Sequence, residues 1–154
     1  ALTAKDGRVL FDSPVICEYL DSLHRRPKLI PAHGKARWTA LRRQALADGI
    51  LDASLLRRYE SMRPANERSA TWDEKQKNVV ARALDALEKE AKDLGKPAAK
   101  RTTLGHIAIG CALGYLDFRF AAENWRNGHP NLTRWYDVFA KRPAMAATVP
   151  KDQT

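Results

Sequence analysis

Apolar positions along most of this chain recur in steps of three and four, the spacing that lines one face of an α-helix. The beginning is different. Residues 1–3 and 9–11 read as two short strands flanking Lys5-Asp6-Gly7-Arg8, and Asp-Gly is a strong two-residue hairpin signal. Strands this short are not stable alone in water, so the hairpin is expected to be the edge of a sheet continuing upstream of Ala1. From there on the pattern is helical. Ser13 is expected to cap a helix with Pro14 in its first turn, and Ile16, Tyr19, Leu20 and Leu23 follow on one face up to Pro27. Residues 29–34 form a connector. A long helix is expected over 35–62, with an inward stripe of Trp38, Leu41, Ala45, Asp48, Asp52, Leu55 and Tyr59. Beyond a loop over 64–69, Thr71 and Glu74 have capping-box spacing. The helix they open carries Val80, Ala83, Leu84, Leu87, Ala91 and Leu94 on one face and stops at Gly95 and Pro97. Residues 96–101 read as a basic loop. Thr103 is expected to cap a helix over 104–122 that is apolar on every side at its centre, as the middle of a bundle is. A last helix over 130–141 turns Leu132, Trp135, Tyr136 and Phe139 inward. The fold class expected is mainly α: a small α/β remnant over 1–27, then an all-helical domain over 35–154.

Composition narrows the function. The 154 residues are enough for a sizeable core. Lys and Arg number 27 against 18 acidic residues, a net charge of +9 that favours anionic partners. The basic residues fall in scattered pairs such as Arg42-Arg43 and Arg57-Arg58, without interleaved aromatics, which argues against a nucleic-acid binder. The longest uncharged stretch, 102–116, is too short to span a membrane, and the first residues lack the apolar run of a secretory signal. Cys17 and Cys111 each sit in an apolar stretch and are expected to be small buried hydrophobes in a reduced, cytoplasmic protein. They and the four histidines have no metal-ligand spacing, so no metal is expected.

Four segments carry a resemblance. Phe11-Asp12-Ser13-Pro14-Val15-Ile16-Cys17-Glu18-Tyr19-Leu20 resembles the junction of last strand and third helix in the thioredoxin-like domain of cytosolic glutathione transferases. Residues 45–53 are similar to the middle of the first helix of that family's helical domain, and 103–109 resemble its buried capping segment. Asn131-Leu132, Trp135 and Arg142-Pro143 resemble its C-terminal pattern. The resemblance covers essentially the whole chain and is closest to bacterial members. It implies the tail of a thioredoxin-like domain followed by the all-α helical-bundle domain, in a homodimer that conjugates the glutathione thiol to electrophilic or peroxide substrates. The thiol-activating residue of the family falls upstream of Ala1, so no residue here receives a catalytic role. One departure stands out: the position normally held by a capping Asp is His106, and the reciprocal capping bond is expected to be lost, leaving Thr103 to cap alone.

The resemblance also implies site residues. Ser13 would hold the glutamyl carboxylate of glutathione, Asp12 its ammonium, and Asp48 an ammonium as well, across a dimer in some classes. Ser54, Leu55 and Arg58 would line the pocket for a small hydrophobic electrophile. Each has a plainer reading: Ser13 as an ordinary cap, Asp48 paired with Arg42, Arg43 or another arginine, and the last three as packing plus a solvated cation. A non-catalytic glutathione-binding or protein-interaction module on the same fold remains the alternative.

Overall fold

A computed structural model describes residues 1–95 and 102–152, so the basic loop expected over 96–101 lies outside the described residues. Strands β1 (Leu2–Thr3) and β2 (Val9–Leu10) pair antiparallel, Leu2 opposite Leu10 and Thr3 opposite Val9. The turn is one residue longer than Asp-Gly alone predicts. Ala4 N–H donates to Arg8 O at 2.8 Å, leaving a loop of Lys5, Asp6 and Gly7, and Gly7 adopts φ +83°. This is the bulged hairpin turn that needs glycine at its left-handed position.

Helix α1 (Ser13–Ser22) leads into the connector, which is pinned rather than loose. The buried Asp21 carboxylate accepts from Leu29 N–H at 2.9 Å and Ile30 N–H at 3.1 Å. Helices α2 (Gly34–Met62), α3 (Ala70–Glu90), α4 (Leu104–Arg119), α5 (Pro130–Phe139) and α6 (Pro143–Ala147) then build the bundle, with single 3₁₀ turns after α2, α3 and α4. Helix α6 is a short element not expected from the sequence; Pro143 in its first turn is the signal that could have found it.

The core faces of α3, α4 and α5 are those expected: Leu84, Leu87, Ile109, Leu113, Leu132 and Phe139 are all buried. The stripe expected on α2 is not the buried one. Trp38 and Tyr59 are exposed, and the inward side is Ala40, Ala47, Ile50 and Ala53, together with the buried polar residues Arg43, Gln44, Ser54, Arg57 and Glu60. Small side chains win because α4 crosses close. A Cβ on Gly105 would lie 2.6 Å from Ala40 O and 2.8 Å from Arg43 Cβ. Gly105→Ala is expected to destabilise by about 1–2 kcal/mol, overpacking strain against backbone outweighing the ~1 kcal/mol gained in helix propensity. Urea denaturation would show a lower midpoint at unchanged slope; an unchanged or higher midpoint would contradict the close approach.

Two caps differ from expectation. Helix α3 is capped by Ser69, whose side chain accepts from Trp72 N–H at 3.2 Å, in place of Thr71. At α4 the reciprocal bond that His106 was expected to abolish is made. Thr103 N–H donates to His106 Nδ1 at 3.0 Å, completing a capping box, and His106 Nε2 lies 3.2 Å from Leu94 O. A neutral imidazole accepts on one nitrogen as a carboxylate oxygen does, and it has a donor on the other, which a carboxylate lacks. Burial, then the charge of Arg43, holds the His106 imidazole below its ordinary value of 6.5. The unfolded chain therefore binds the proton first. Stability from this group is complete above about pH 6.5 and is lost as pH falls from there through the lower folded-state value. Denaturation at about pH 7.5 and 5.5 should show that loss, and it should shrink in His106→Asp, which cannot protonate in that window.

Candidate functional site

The start of α1 sets one end of the site. Asp12, not Ser13, is the N-cap, and its carboxylate accepts from Ser13 N–H. Ser13 therefore begins the helix itself, with Pro14 behind it, and both Asp12 and Ser13 are exposed. Pro14 has no N–H and Ile16 N–H bonds Asp12 O, so the helix dipole and the Ser13 N–H, once Asp12 releases it, are what favour an anion here.

Helix α2 brings acid to the same place. Asp48 is half-buried, and burial first, then the nearby charges of Asp52 and Asp12, push its carboxyl above the ordinary 3.8. Asp48 thus feels the charge of Asp52 on its own helix and of Asp12 at the start of α1, so two elements bring negative charge to one region. The arginine pairing that was the plainer reading of Asp48 does not form. Arg42 and Arg43 both turn to Glu90, at 2.6 and 3.2 Å, and among the described residues no basic side chain makes an ion pair with Asp48. Three carboxylates so placed, without a neutralising partner, favour a cation among them.

Next to the acidic cluster lies a cavity of about 510 Å³ between α4, α5 and the chain end, with Leu51 as its wall on α2. Cys111 joins the two features: it lines the cavity, and its thiol is raised by burial and by the charges of Cys17 and Asp48. Cys111 is exposed and Cys17 half-buried, so neither is the fully buried residue expected, and Cys17 is raised likewise by burial and Asp48. Both shifts favour the protonated thiol, which slows its reactions. Tyr136 contributes a hydroxyl; burial, then Asp117, holds its phenol above 10, so it acts as a neutral donor. Asp117 is occupied by Trp125 Nε1 at 2.7 Å and by Arg126. The remaining walls are mostly apolar, with Phe118 and Met145 among them. An apolar hollow with a few polar groups is what a small organic ligand needs.

The three residues expected in the electrophile pocket are not brought together there. Ser54 is fully buried with its hydroxyl unpartnered among the described residues, and it lines no wall of this cavity. Leu55 is exposed one helical turn beyond Leu51. Arg58 lines a neighbouring groove of about 620 Å³ shared with Arg119 and Phe120. Sequence reasoning missed Leu51, Tyr136 and the chain end at 148–150, which are far apart in sequence. Among the described residues no group of three or more His, Cys, Asp or Glu could hold a metal, and no helix is long and apolar enough to cross a membrane.

This architecture has known relatives. Residues 42–138 match the family described as glutathione S-transferase, C-terminal domain. A protein of Escherichia coli (strain K12) described as the uncharacterized GST-like protein YibF is 35% identical over 149 residues, which are 97% of this chain and 73% of that protein. A glutathione transferase family member from Pseudomonas fluorescens Pf-5, solved with bound S-(propanoic acid)-glutathione, superposes with a TM-score of 0.91 at 44% identity, covering 98% of this chain and 76% of that one. A glutathione S-transferase from Methylobacillus flagellatus KT, solved with glutathione bound, gives 0.89 at 36% identity, covering 97% and 74%. By the extent of these matches, and by the helical bundle that carries them, the chain belongs to the glutathione transferase family.

Proposed function

We propose that the protein is a glutathione transferase in which Asp12, Ser13 and Asp48 hold the glutamyl end of the tripeptide and the 510 Å³ cavity takes a small hydrophobic electrophile. The observation that carries the reading is the acidic cluster without a basic partner beside a helix N-terminus. A glutamyl group is a carboxylate and an ammonium on one carbon. The first fits the backbone N–H and hydroxyl of Ser13, once Asp12 turns from that N–H toward the ammonium; Asp48 supplies a second carboxylate to it. The proximity of Asp48 to Asp12 supports its acting within one subunit, without reaching across a dimer. Leu55 lies one turn beyond the cavity wall at Leu51, Arg58 lines the neighbouring groove, and Ser54 packs inside the bundle. Structural relatives holding glutathione or its thioether support the ligand.

The reaction is attack by the glutathione sulfur. A C–S bond forms while the leaving group departs with the bonding electrons, or a peroxide O–O bond breaks to give sulfenic acid and alcohol. The thiol proton goes to an activating residue that the resemblance implies upstream of Ala1. Holding thiolate and electrophile side by side supplies the proximity part of the acceleration. The exposed α2 stripe of Trp38, Leu55, Tyr59 and Met62 supports a homodimer, and a cytoplasmic setting suits a reduced-thiol substrate.

Calorimetric titration with glutathione tests the assignment. Asp48→Asn is expected to weaken binding about tenfold, the loss of one charge-assisted hydrogen bond. In the wild-type protein binding should fade as pH falls through the raised Asp48 value, at higher pH than an ordinary carboxylate would dictate. Equal affinity in Asp48→Asn would remove the residue from the site. Turnover of 1-chloro-2,4-dinitrobenzene with glutathione, measured on protein that carries the thiol-activating segment the resemblance implies, then separates the readings: binding without conjugation there would favour the non-catalytic module.

A further inference from the structure

One arginine departs from the charge pattern of this chain. Arg37, Arg43, Arg57, Arg119 and Arg126 are buried or half-buried, and each faces a carboxylate. Arg58 is half-buried too, yet among the described residues its guanidinium makes no ion pair and no hydrogen bond. It lines the 620 Å³ groove, where the carboxylates are already committed. Asp73 and Glu123 hold Arg57, while Glu60 accepts from Ser69 N–H and lies 3.8 Å from Arg63. Arg68, in the same groove, donates to the Arg63 carbonyl at 2.8 Å, which leaves its charge unneutralised. The groove therefore holds cations in excess, and a cation partly removed from water favours an anion beside it.

The groove and the 510 Å³ cavity are neighbours along two helices. On α2, Leu51, Leu55 and Arg58 follow at i, i+4 and i+7, one face of the helix. Leu51 is a wall of the cavity and Arg58 of the groove, with Leu55 exposed between them. At 1.5 Å rise per residue the two walls are about 10 Å apart. On α4, Phe118 walls the cavity and Arg119 the groove, and the Arg119 guanidinium lies 3.7 Å from the centroid of the Phe118 ring.

We infer that the electrophile is an organic anion: its apolar reactive end enters the cavity, and a carboxylate about 10 Å away is held by Arg58, the residue that sets specificity. The planar guanidinium fork matches a carboxylate with two parallel N–H donors, a geometry that a lysine cannot reproduce. The exposed Leu55 then covers the apolar middle of the ligand, and Arg68 adds a second positive charge to the end that carries the anion. The net charge of +9 draws such a molecule toward the protein. As a statement about substrate this rests on the transferase reading; as a ligand site it does not.

The test uses the full chain and two unreactive probes of equal length, 6-phenylhexanoate and the neutral 6-phenylhexanamide, titrated calorimetrically without glutathione. The wild type is expected to bind the acid about tenfold more tightly than the amide, the effect of one charge-assisted contact. Arg58→Gln should bring the two affinities together by weakening the acid alone; unchanged amide binding then shows that the variant is folded. Arg58→Lys should keep part of the preference. Raising salt from about 0.05 to 0.5 M should weaken the acid and leave the amide unmoved. Occupation of the cavity by the phenyl end is read from slower labelling of Cys111 by N-ethylmaleimide, located by peptide mass. Equal affinities in the wild type overturn the proposal, as does a preference that survives in Arg58→Gln or acid binding that leaves Cys111 labelling unchanged. If the preference holds while protein carrying the thiol-activating segment shows no conjugation, the anion site stands and the transferase reading falls.

Discussion

Phe139→Ala is expected to destabilise the protein by about 3–5 kcal/mol, the usual range for removing a fully enclosed aromatic ring. Phe139 is 1% exposed and stacks on Trp135 with ring centroids 4.5 Å apart. Its other side meets α4 where Gly110 has no side chain; a Cβ there would lie 2.7 Å from Phe139 Cε1. The ring thus fills a notch cut for it, and neighbouring side chains cannot collapse into the gap. The check is a double-mutant cycle by chemical denaturation. Gly110→Ala alone should destabilise through overpacking, but in the Phe139→Ala background the added methyl enters vacated space, so the two losses should sum to more than the double variant shows. Additive losses would mean that the two positions do not share this contact.

Arg57→Ala is expected to cost about 3 kcal/mol, the lower end of the range for removing one partner of a buried ion pair. The Arg57 side chain is 6% exposed and ties three elements together. Its Nε donates to Asp73 on α3 at 2.9 Å, and its other two nitrogens grip Glu123 in the 3₁₀ turn after α4. The guanidinium also lies 4.7 Å from the Phe120 ring centroid. Hydrogen bonds donated to Glu123, opposed by burial and joined by those to Asp73, raise its pKa well beyond the ordinary arginine value, so the group stays charged. The lower end applies because Asp73 and Glu123 remain about 40% exposed and can turn to water. A fall in melting temperature of about 6–12 °C is expected. A fall below about 2 °C would mean that the pair is no better than a surface contact.

Arg57 also explains why one helix face was misread. On α3 and α5 the buried positions are apolar at regular spacing, and periodicity alone finds them. On α2 the buried side mixes alanines with charged residues whose partners lie elsewhere: Glu90 for Arg43, Asp73 and Glu123 for Arg57. No local pattern announces such neutralisation, so the eye follows Trp38 and Tyr59, which face out. The expected loss of the capping bond at His106 does not occur for a chemical reason: a neutral imidazole nitrogen is itself an acceptor. Asp12 and Ser13 stood out as candidates because they adjoin one helix start, and Asp48 because a carboxylate amid apolar residues demands explanation. The cavity was not legible. Leu51, Tyr136 and Val149 meet only through tertiary packing of α2, α5 and the chain end. A carboxylate likewise caps α5 from afar: burial opposes the charge on Glu88, but N–H bonds from Leu132 and Asn131 hold the carboxyl below its ordinary range.

The close seat of α4 against α2 has a further consequence, for the order of assembly during synthesis. The side of α2 that Gly105 and its neighbours cover is made well before its cover: α4 emerges roughly 50 residues after α2, about 3–10 s later at the usual rate of translation. For that interval a purely apolar face would invite association between nascent chains. The face that waits is instead built of alanines, with Arg43, Gln44, Arg57 and Glu60 at intervals along it. Those polar side chains keep the unfinished helix compatible with water until Glu90 and Glu123 arrive to neutralise its arginines and α4 closes over them.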